Sequence, residues 1–213
     1  MKNQIFILGL LFWFTAMGSL QAQSMQNTKH YRSHFLYQTG ISVNTGVGEI
    51  NFAGRHLKNK LFSFGVDQVI AYQFNPHFDL GVDLGLNIWK RTAFIPVGLH
   101  MAVDFMKTNV TPMWYLNGGY SFKWYVSSKP EKMTHVIYGA KPGWYINSGI
   151  GVKVQVRDQV YLSFAADYKM QYSSLQYYED EHNTDFDYSS VTTNRIKNHF
   201  YHFVGVKIAV HYW

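Results

Sequence analysis

Residues 78–89, with the sequence FDLGVDLGLNIW, alternate strictly between two kinds of side chain. One set is apolar, and the other contains aspartate, glycine and asparagine. A period of two is typical of a β-strand, because successive side chains of a strand point to opposite faces. The stretch therefore predicts a strand with one wholly apolar face and one face that carries ionisable groups. The apolar set consists of Phe78, Leu80, Val82, Leu84, Leu86 and Ile88.

The same alternation recurs along most of the chain, and no sustained helical period interrupts it. Most of the resulting segments exceed the usual globular strand of about 5–6 residues. They are long enough for the roughly 9–11 residues that a tilted strand needs to cross a bilayer. We predict eight strands, at residues 36–45, 61–74, 78–89, 94–105, 113–125, 144–156, 160–172 and 200–213.

The links between these predicted strands alternate in length. Short turns at one end and long loops at the other are typical of outer-membrane barrels, in which the short turns are periplasmic. An even number of strands also returns the chain to the end where it began. The short links are 75–77, 106–112 and 157–159, the long ones are 46–60, 126–143 and 173–199, and the short link 90–93 breaks the pattern.

The first residues have the layout of a secretory signal peptide. Lys2 precedes a largely apolar run over 5–17, and small residues follow up to Ala22. The run is too short for a membrane-spanning helix, and a buried N-terminal helix is the alternative. We predict a signal peptide at 1–22 and one barrel domain at 23–213, of which 23–34 is a periplasmic segment.

Composition excludes several classes of protein. The chain has no cysteine, which excludes a disulfide framework and a Cys-ligated metal site. Only 15% of residues are charged and 18% are aromatic, which excludes a disordered chain. The formal net charge of +6 comes from scattered lysines and arginines without a basic stripe, so no nucleic-acid partner is predicted.

Volume decides which face of the strands points outward. The interior of an eight-stranded barrel is only wide enough for side chains to fill it, and a layered core of that size holds about a dozen. The apolar face carries far more large side chains than that. Its residues therefore coat the barrel and contact lipid, and the face rich in glycine and charge lines the lumen.

The charged face predicts a ladder of ion pairs inside the barrel. A lysine facing lipid at the bilayer midplane costs about 2–4 kcal/mol, whereas opposite charges inside the lumen can pair, as buried charges require. This ladder is expected to plug the lumen. Its predicted members are Asp67, Asp79, Asp83, Asp104, Lys123, Lys153, Asp167, Lys169 and Lys207.

Aromatic residues with the apolar parity lie near the strand ends, where interfacial girdles are expected. The predicted short-turn girdle consists of Tyr37, Tyr72, Phe74, Phe78, Phe105, Trp114 and Tyr212. The predicted long-loop girdle consists of Phe62, Trp124, Trp144 and Tyr172.

The chain resembles small outer-membrane β-barrel proteins of Gram-negative bacteria, of the kind common in Bacteroidetes. The resemblance rests on the signal peptide and on the stretches IPVGLHMAVDF, WYLNGGYSFKW and YHFVGVKIAVHYW. It implies an all-β, eight-stranded, antiparallel up-and-down transmembrane barrel in the cell outer membrane. It also implies contact with outer-membrane lipid and lipopolysaccharide, and insertion by the barrel-assembly machinery. Trp213 departs from the usual terminal signal, because Tyr212 carries the apolar parity instead.

Three functions remain open from the sequence. We predict a non-catalytic barrel with a structural or surface-binding role and an unidentified extracellular ligand. The alternatives are a lipid A-modifying acyl hydrolase or transferase, and a soluble exported lipocalin-like binder. Acyl transfer needs a nucleophile within reach of a base, and no such set is fixed by the sequence. The weak candidates are His199 and His202, with Ser189 or Ser190 and with Glu179 or Glu181.

No cofactor, metal or catalytic residue is predicted. Loop 177–187 is acidic, but it lacks the order and the glycine of a calcium-binding loop, so a solvated loop is the favoured interpretation. His30 and His34 are four residues apart, which suits a metal only on a helix. Lipopolysaccharide phosphates are possible contacts of the loop cations, which are Lys58, Lys60, Arg91 and Lys129.

Overall fold

The fold is that of a computed structural model, which describes residues 34–52, 55–89, 92–106, 108–126, 135–141, 143–179 and 193–212. The predicted signal peptide and most of the segment 23–34 lie outside these residues. No helix of the length and hydropathy that a membrane crossing requires occurs among the described residues.

Every described element is a β-strand. Eight of the strands are long, and three are short additions at one end of the molecule. The strands are β1 His34–Val47, β2 Glu49–Phe52, β3 Arg55–Lys58, β4 Phe62–Asn75, β5 Phe78–Trp89, β6 Thr92–Asp104, β7 Val110–Val126, β8 His135–Lys141, β9 Trp144–Arg157, β10 Val160–Glu179 and β11 Thr193–Tyr212.

The eight long strands form a closed antiparallel barrel. Each pairs with its neighbours in the order β1, β4, β5, β6, β7, β9, β10, β11. The barrel closes between the first and last strands, where Tyr37 lies opposite Tyr212 and Val47 opposite His202. Closure removes exposed strand edges along this ring. Links 76–77, 105–109 and 158–159 define the short-turn end, and the opposite end is the long-loop end.

All eight predicted strands are confirmed, with ends that differ by a few residues, but the loop predictions need correction. The link 46–60 contains the hairpin of β2 and β3, and the link 126–143 contains β8. Much of the predicted loop 173–199 is a continuation of β10 and β11, which pair with each other from Tyr172 to Glu179. Alternation fades in these segments, because they extend beyond the apolar band that produces it.

The barrel has its apolar side chains outside and its charges inside, as the volume argument predicts. Leu84, Leu99 and Val152 are 43%, 65% and 40% exposed on the outer surface. Asp83 and Lys153, which precede or follow two of these residues, are only 3% and 4% exposed. A soluble barrel requires the opposite arrangement, so the lipocalin-like interpretation is contradicted.

Glycines on the inner face make room for the large lumenal side chains. A Cβ atom at Gly149 would overlap the ring of Tyr115, and one at Gly98 would meet the hydroxyl of Tyr145. Gly40 likewise lies against the side chain of Lys207. Small residues on the charged face are therefore the complement of the bulky residues that fill the lumen.

Aromatic side chains surround both ends of the outer surface. At the short-turn end Tyr37 stacks on Tyr212 at 5.7 Å, and Tyr72 meets Phe74 edge-on at 5.1 Å. At the long-loop end Trp144 stacks on Tyr172 at 6.0 Å. These contacts agree with the predicted girdles. Phe35, Phe64, Tyr120, Phe122 and Phe200 also belong to the aromatic outer surface and were not predicted.

A polar pair interrupts the outer apolar surface between β1 and β4. Gln68 has the outward parity but is only 9% exposed. The hydroxyl of Thr39 donates to its Oε1 atom at 2.7 Å, across directly paired positions. This hydrogen bond reduces the cost of placing an amide on a face that contacts hydrocarbon.

Candidate functional site

The lumen is the candidate functional site, and charged side chains pack inside its short-turn end. Lys153 of β9 forms a buried ion pair with Asp104 of β6. Beside them, Nε2 of His100 lies 3.2 Å from Oδ1 of Asp79, and Nδ1 of His100 lies 2.7 Å from Oδ1 of Asn117. The His100 contacts join β6 to its neighbours β5 and β7, and the Lys153–Asp104 pair links β6 to β9 past β7, so the layer ties four consecutive strands of the wall together.

A second layer of charges occupies the middle of the lumen. Nζ of Lys207 lies 2.6 Å from Oδ2 of Asp67 and 4.9 Å from the centre of the Tyr115 ring. The hydroxyl of Tyr145 donates to Oδ2 of Asp83 at 2.9 Å. The ammonium of Lys207 thus combines an ion pair with a cation–π contact, which stabilises it away from water.

A small cavity remains among these polar groups. Asp67, Asp83, Asn147, Tyr145 and Lys169 are among the residues that line it. About 20 Å³ of its space is open to the centre of a water molecule, which is room for about one water. Oδ1 of Asp83 faces no hydrogen-bond donor among the described residues. A bound water would satisfy this oxygen, but a larger solute does not fit.

The long-loop end is packed in a different way, with four rings in contact that we call the aromatic cap. The cap consists of Trp89, Phe94, Tyr201 and Phe203. Trp89 is the central ring, with centroids 5.0 Å from Phe94, 5.0 Å from Tyr201 and 5.6 Å from Phe203. None of the four is more than 5% exposed. The cap therefore places a packed, apolar cluster inside this end of the lumen.

The base of the first long loop is held above the aromatic cap. Leu61 packs against the cap, and its carbonyl accepts a hydrogen bond from the Gly46 amide at 2.6 Å. Nδ2 of Asn59 donates to the carbonyl of His202 at 2.9 Å, and its Oδ1 accepts from the Leu61 amide at 3.2 Å. The loop is thereby fastened to β11, with Leu61 over the rings.

Eight of the nine predicted lumenal charges lie in or against the lumen, and Lys123 is the exception. Lys123 has the inward parity, but it is exposed near the long-loop end of β7. The prediction that it belongs to the ion-pair ladder is therefore wrong. The reason is its depth, because an inward side chain at the mouth of a barrel faces water instead of the packed interior.

Sequence reasoning missed the lumenal histidines, the lumenal tyrosines and the aromatic cap. All of them share the parity of the charged face, and that parity was the available signal. In β11, for example, Tyr201 and Phe203 alternate with the outward Val204 and Val206. The overlooked inward residues are His100, His211, Tyr115, Tyr145, Trp89, Phe94, Tyr201 and Phe203.

Of the predicted acyl-transfer residues, the structure describes His199, His202 and the end of β10 at Glu179, and it separates the two histidines. His199 is buried at the long-loop end of β11, whereas His202 lies on the outer surface and contacts Tyr168. Glu179 ends β10. Ser189, Ser190 and Glu181 lie outside the described residues, as do most of the acidic loop 177–187, His30, Arg91 and Lys129.

One buried serine–histidine contact exists elsewhere. Nε2 of His211 lies 2.7 Å from Oγ of Ser163, near the short-turn end of the lumen. Both residues are less than 5% exposed, and Nδ1 of His211 has no hydrogen-bond partner among the described residues. A catalytic histidine needs an orienting group on that nitrogen and access for the substrate. This contact therefore fits a structural hydrogen bond.

No group of three or more histidine, aspartate or glutamate side chains within the described part of the chain could hold a metal ion. Of His30 and His34, the structure describes His34. It is the first residue of strand β1 and does not lie on a helix. Lys58 and Lys60 are exposed at the long-loop end.

Comparisons with solved structures identify the fold. The outer membrane protein OprG from Pseudomonas aeruginosa is 11% identical, with a TM-score of 0.51 over 84% of this chain and 97% of that one. Neisserial surface protein A is 13% identical, with a TM-score of 0.51 over 85% and 99%. Outer membrane protein AlkL, solved in lipid bilayers, is 10% identical, with a TM-score of 0.52 over 88% and 93%.

No family model and no curated protein matches the chain. At these identities the solved structures establish a shared eight-stranded barrel fold, not a shared activity. The fold is that of outer-membrane proteins, and the outer surface is apolar between two aromatic girdles. The protein is therefore a β-barrel of the outer membrane.

Proposed function

We propose that this protein is a non-catalytic outer-membrane barrel whose lumen is closed to solutes, and that it acts through its outer surface and its long loops. Its role is then structural, or it is to bind a partner at the cell surface. We take the short-turn end as periplasmic and the long-loop end as extracellular, as in other barrels of this class.

The aromatic cap is the observation that carries this proposal. A solute that enters from the extracellular end meets four rings, with Leu61 packed on them. Beyond the cap, the buried pairs of Lys207 with Asp67 and of Lys153 with Asp104 project into the lumen. Opening a path requires both the separation of packed rings and the desolvation of paired charges, and both cost free energy.

Conductance in planar lipid bilayers tests closure. The full-length protein should give no steady channels, whereas a general porin reconstituted in the same way gives large ones. A variant with Trp89→Ala and Phe94→Ala should admit ions more readily, because it removes half of the aromatic cap. Large, steady channels from the unchanged protein would overturn the proposal.

The absence of catalysis is a separate part of the proposal. It is supported by the burial of the Ser163–His211 contact and by the separation of His199, which is buried, from His202, which is outside. Mass spectra of lipid A incubated with the purified protein in detergent should be unchanged. The appearance of a species with one acyl chain more or fewer would establish an acyl transferase or hydrolase instead.

Two narrower expectations remain proposals. The stretches quoted for the resemblance support a barrel of the Bacteroidetes type, which the genomic neighbourhood of homologous barrels can test. The outward Tyr212, stacked on Tyr37, supports recognition of the last strand by the barrel-assembly machinery. Replacing Tyr212 with serine should reduce the amount of protein assembled in the outer membrane, and unchanged assembly would contradict that role.

A further inference from the structure

We propose that the outer surface of β9, β10 and β11 at the long-loop end binds one phosphorylated glycolipid, the lipid A part of lipopolysaccharide. The proposal rests on the outer-membrane location and on contacts outside the barrel. It does not depend on whether the lumen is closed.

Three aromatic rings form a rigid platform on this surface. Trp144 of β9 and Tyr172 of β10 are nearly parallel, with an interplanar angle of 3° and centroids 6.0 Å apart. Phe200 of β11 meets both edge-on, at 5.3 Å and 5.1 Å. Trp144 and Phe200 are 39% and 46% exposed. Mutual packing therefore fixes the rings while leaving part of their surface for a ligand.

This platform belongs to one sector of the barrel. Tyr120 of the adjacent β7 lies opposite Trp144 and packs on Phe122 at 5.1 Å, which widens the aromatic surface. At the same end of the barrel, Val43 of β1 and Ile88 of β5 are aliphatic, and β4 between them carries the outward Phe62 and Phe64.

Directly below the platform, a polar pair lies on the lipid-facing surface. The hydroxyl of Tyr168 and Nδ1 of His202 are 2.5 Å apart. A tyrosine and a neutral histidine together carry two hydrogens that can be donated, and their mutual hydrogen bond uses one. Whichever residue donates, the other hydrogen has no acceptor among the described residues. Hydrocarbon offers no acceptor, so an unsatisfied donor at this depth is unfavourable.

A third polar group lies at the same height. Ser148 of β9 is directly opposite Tyr168, and its hydroxyl oxygen accepts a hydrogen bond from Nε1 of Trp114 at 3.0 Å. The Ser148 hydrogen is therefore also available to an acceptor. Adjacent donors beneath an aromatic platform match the ester, amide and hydroxyl oxygens where acyl chains join a saccharide headgroup.

Positive charge lies on the loop that is hydrogen-bonded to β11 at the long-loop end. Lys58 and Lys60 are exposed, and they flank Asn59 in the chain. Nδ2 of Asn59 donates to the backbone carbonyl of His202, the residue that completes the polar pair. Two ammonium groups are thus held on the loop that is fastened to this strand. They complement a headgroup phosphate, and the exposed Ile150 and Val206 offer surface for acyl chains.

Native mass spectrometry of the full-length protein in detergent tests the site, with Kdo2-lipid A and phosphatidylethanolamine as probes. Kdo2-lipid A should bind as a single retained molecule, and phosphatidylethanolamine should bind more weakly. Tyr168→Phe and His202→Leu should each weaken Kdo2-lipid A binding about three- to tenfold, the effect of one hydrogen bond. Tyr37→Phe is the matched control, because it removes an outward hydroxyl at the opposite end, and it should leave binding unchanged.

A second pair of variants tests the charges. Lys58→Gln with Lys60→Gln should weaken Kdo2-lipid A binding and reduce its salt dependence, and should leave phosphatidylethanolamine binding unchanged. Heat-modifiable migration on gels verifies that every variant is folded. Equal binding of Kdo2-lipid A and phosphatidylethanolamine would overturn the proposed preference for lipid A. Equal losses of Kdo2-lipid A binding in Tyr168→Phe and Tyr37→Phe would overturn the proposed position of the site. Either result leaves the conductance test of the closed lumen unaffected.

Discussion

The two ends of the lumen are packed by different physical means. At the short-turn end, Lys153, Asp104, His100 and Asp79 make directional contacts between charged or polar atoms. At the long-loop end, four rings pack around Trp89 without a hydrogen bond between them. The first kind of packing depends on the position of individual atoms, whereas the second depends on shape and volume.

This difference predicts how each end responds to change. Removing one member of a buried ion pair leaves its partner charged and unpaired, which is strongly unfavourable. Removing a ring leaves a cavity whose cost depends on how far the neighbours relax. Four substitutions test the comparison, each followed by urea unfolding in lipid vesicles with tryptophan fluorescence as the signal.

Lys153→Met should have the largest effect. It leaves Asp104 buried and without its cation, so the free energy of unfolding should fall by about 3–5 kcal/mol. The double variant Lys153→Met with Asp104→Leu should recover most of that loss, because neither charge remains. A double variant as unstable as the single one would show that packing, and not charge pairing, dominates at the short-turn end.

Trp89→Ala should come next, with a loss of about 3 kcal/mol from the cavity left in the aromatic cap. In contrast to the ion pair, no second deletion should restore the lost stability, because the loss comes from packed volume that a further deletion only reduces. Phe94→Ala added to Trp89→Ala should therefore destabilise the barrel further. A double variant more stable than Trp89→Ala would show that the cap, like the ion pairs, depends on a specific partnership and not on packed volume.

Removal of one hydroxyl from the charged middle layer and of one from the aromatic cap compares polar with apolar packing directly. Tyr145→Phe deletes the hydrogen bond to Asp83 and should cost about 2 kcal/mol, since the acceptor is a buried carboxylate. Tyr201→Phe deletes a hydroxyl with no hydrogen-bond partner among the described residues, so it should be neutral or stabilising. Equal losses from both variants would contradict the distinction between the charged layers and the aromatic cap.

Gly149→Ala should have the smallest effect of the four, a loss of about 1–2 kcal/mol from overpacking against Tyr115. Gly118→Ala is its matched control. A Cβ atom there would point outward and meet only the Tyr145 carbonyl, at an ordinary 3.7 Å. The control should be within about 0.5 kcal/mol of the unchanged protein.

The sequence predicts the barrel well because a period of two survives in every long strand. The alternation of Leu84 with Asp83, or of Val152 with Lys153, specifies both the strand and its outward face. Volume then decides which face meets lipid, without knowledge of any contact. The strand extensions 173–179 and 193–199 were missed because they stand clear of the membrane, where no apolar face is required.

The lumenal contacts were less predictable. Parity places Lys153 and Asp104 inside, but their pairing depends on the stagger of β9 against β6 across the barrel, which no local pattern encodes. The aromatic cap had a signal, since all four rings share the charged parity. Lys123 was placed wrongly for a different reason. Parity predicts whether a side chain points inward, but it does not predict how far along the barrel axis the residue lies.

The unequal height of the barrel wall has a consequence for access from outside. Above the Tyr172–Phe200 pair of the outer girdle, β10 and β11 remain paired over 173–179 and 193–199, a length of roughly 23 Å at about 3.3 Å per residue. On the opposite side of the ring, β5 ends at Trp89 and β6 begins at Thr92. A phage tail or antibody that approaches along β10 and β11 therefore contacts paired strands before it reaches the girdle.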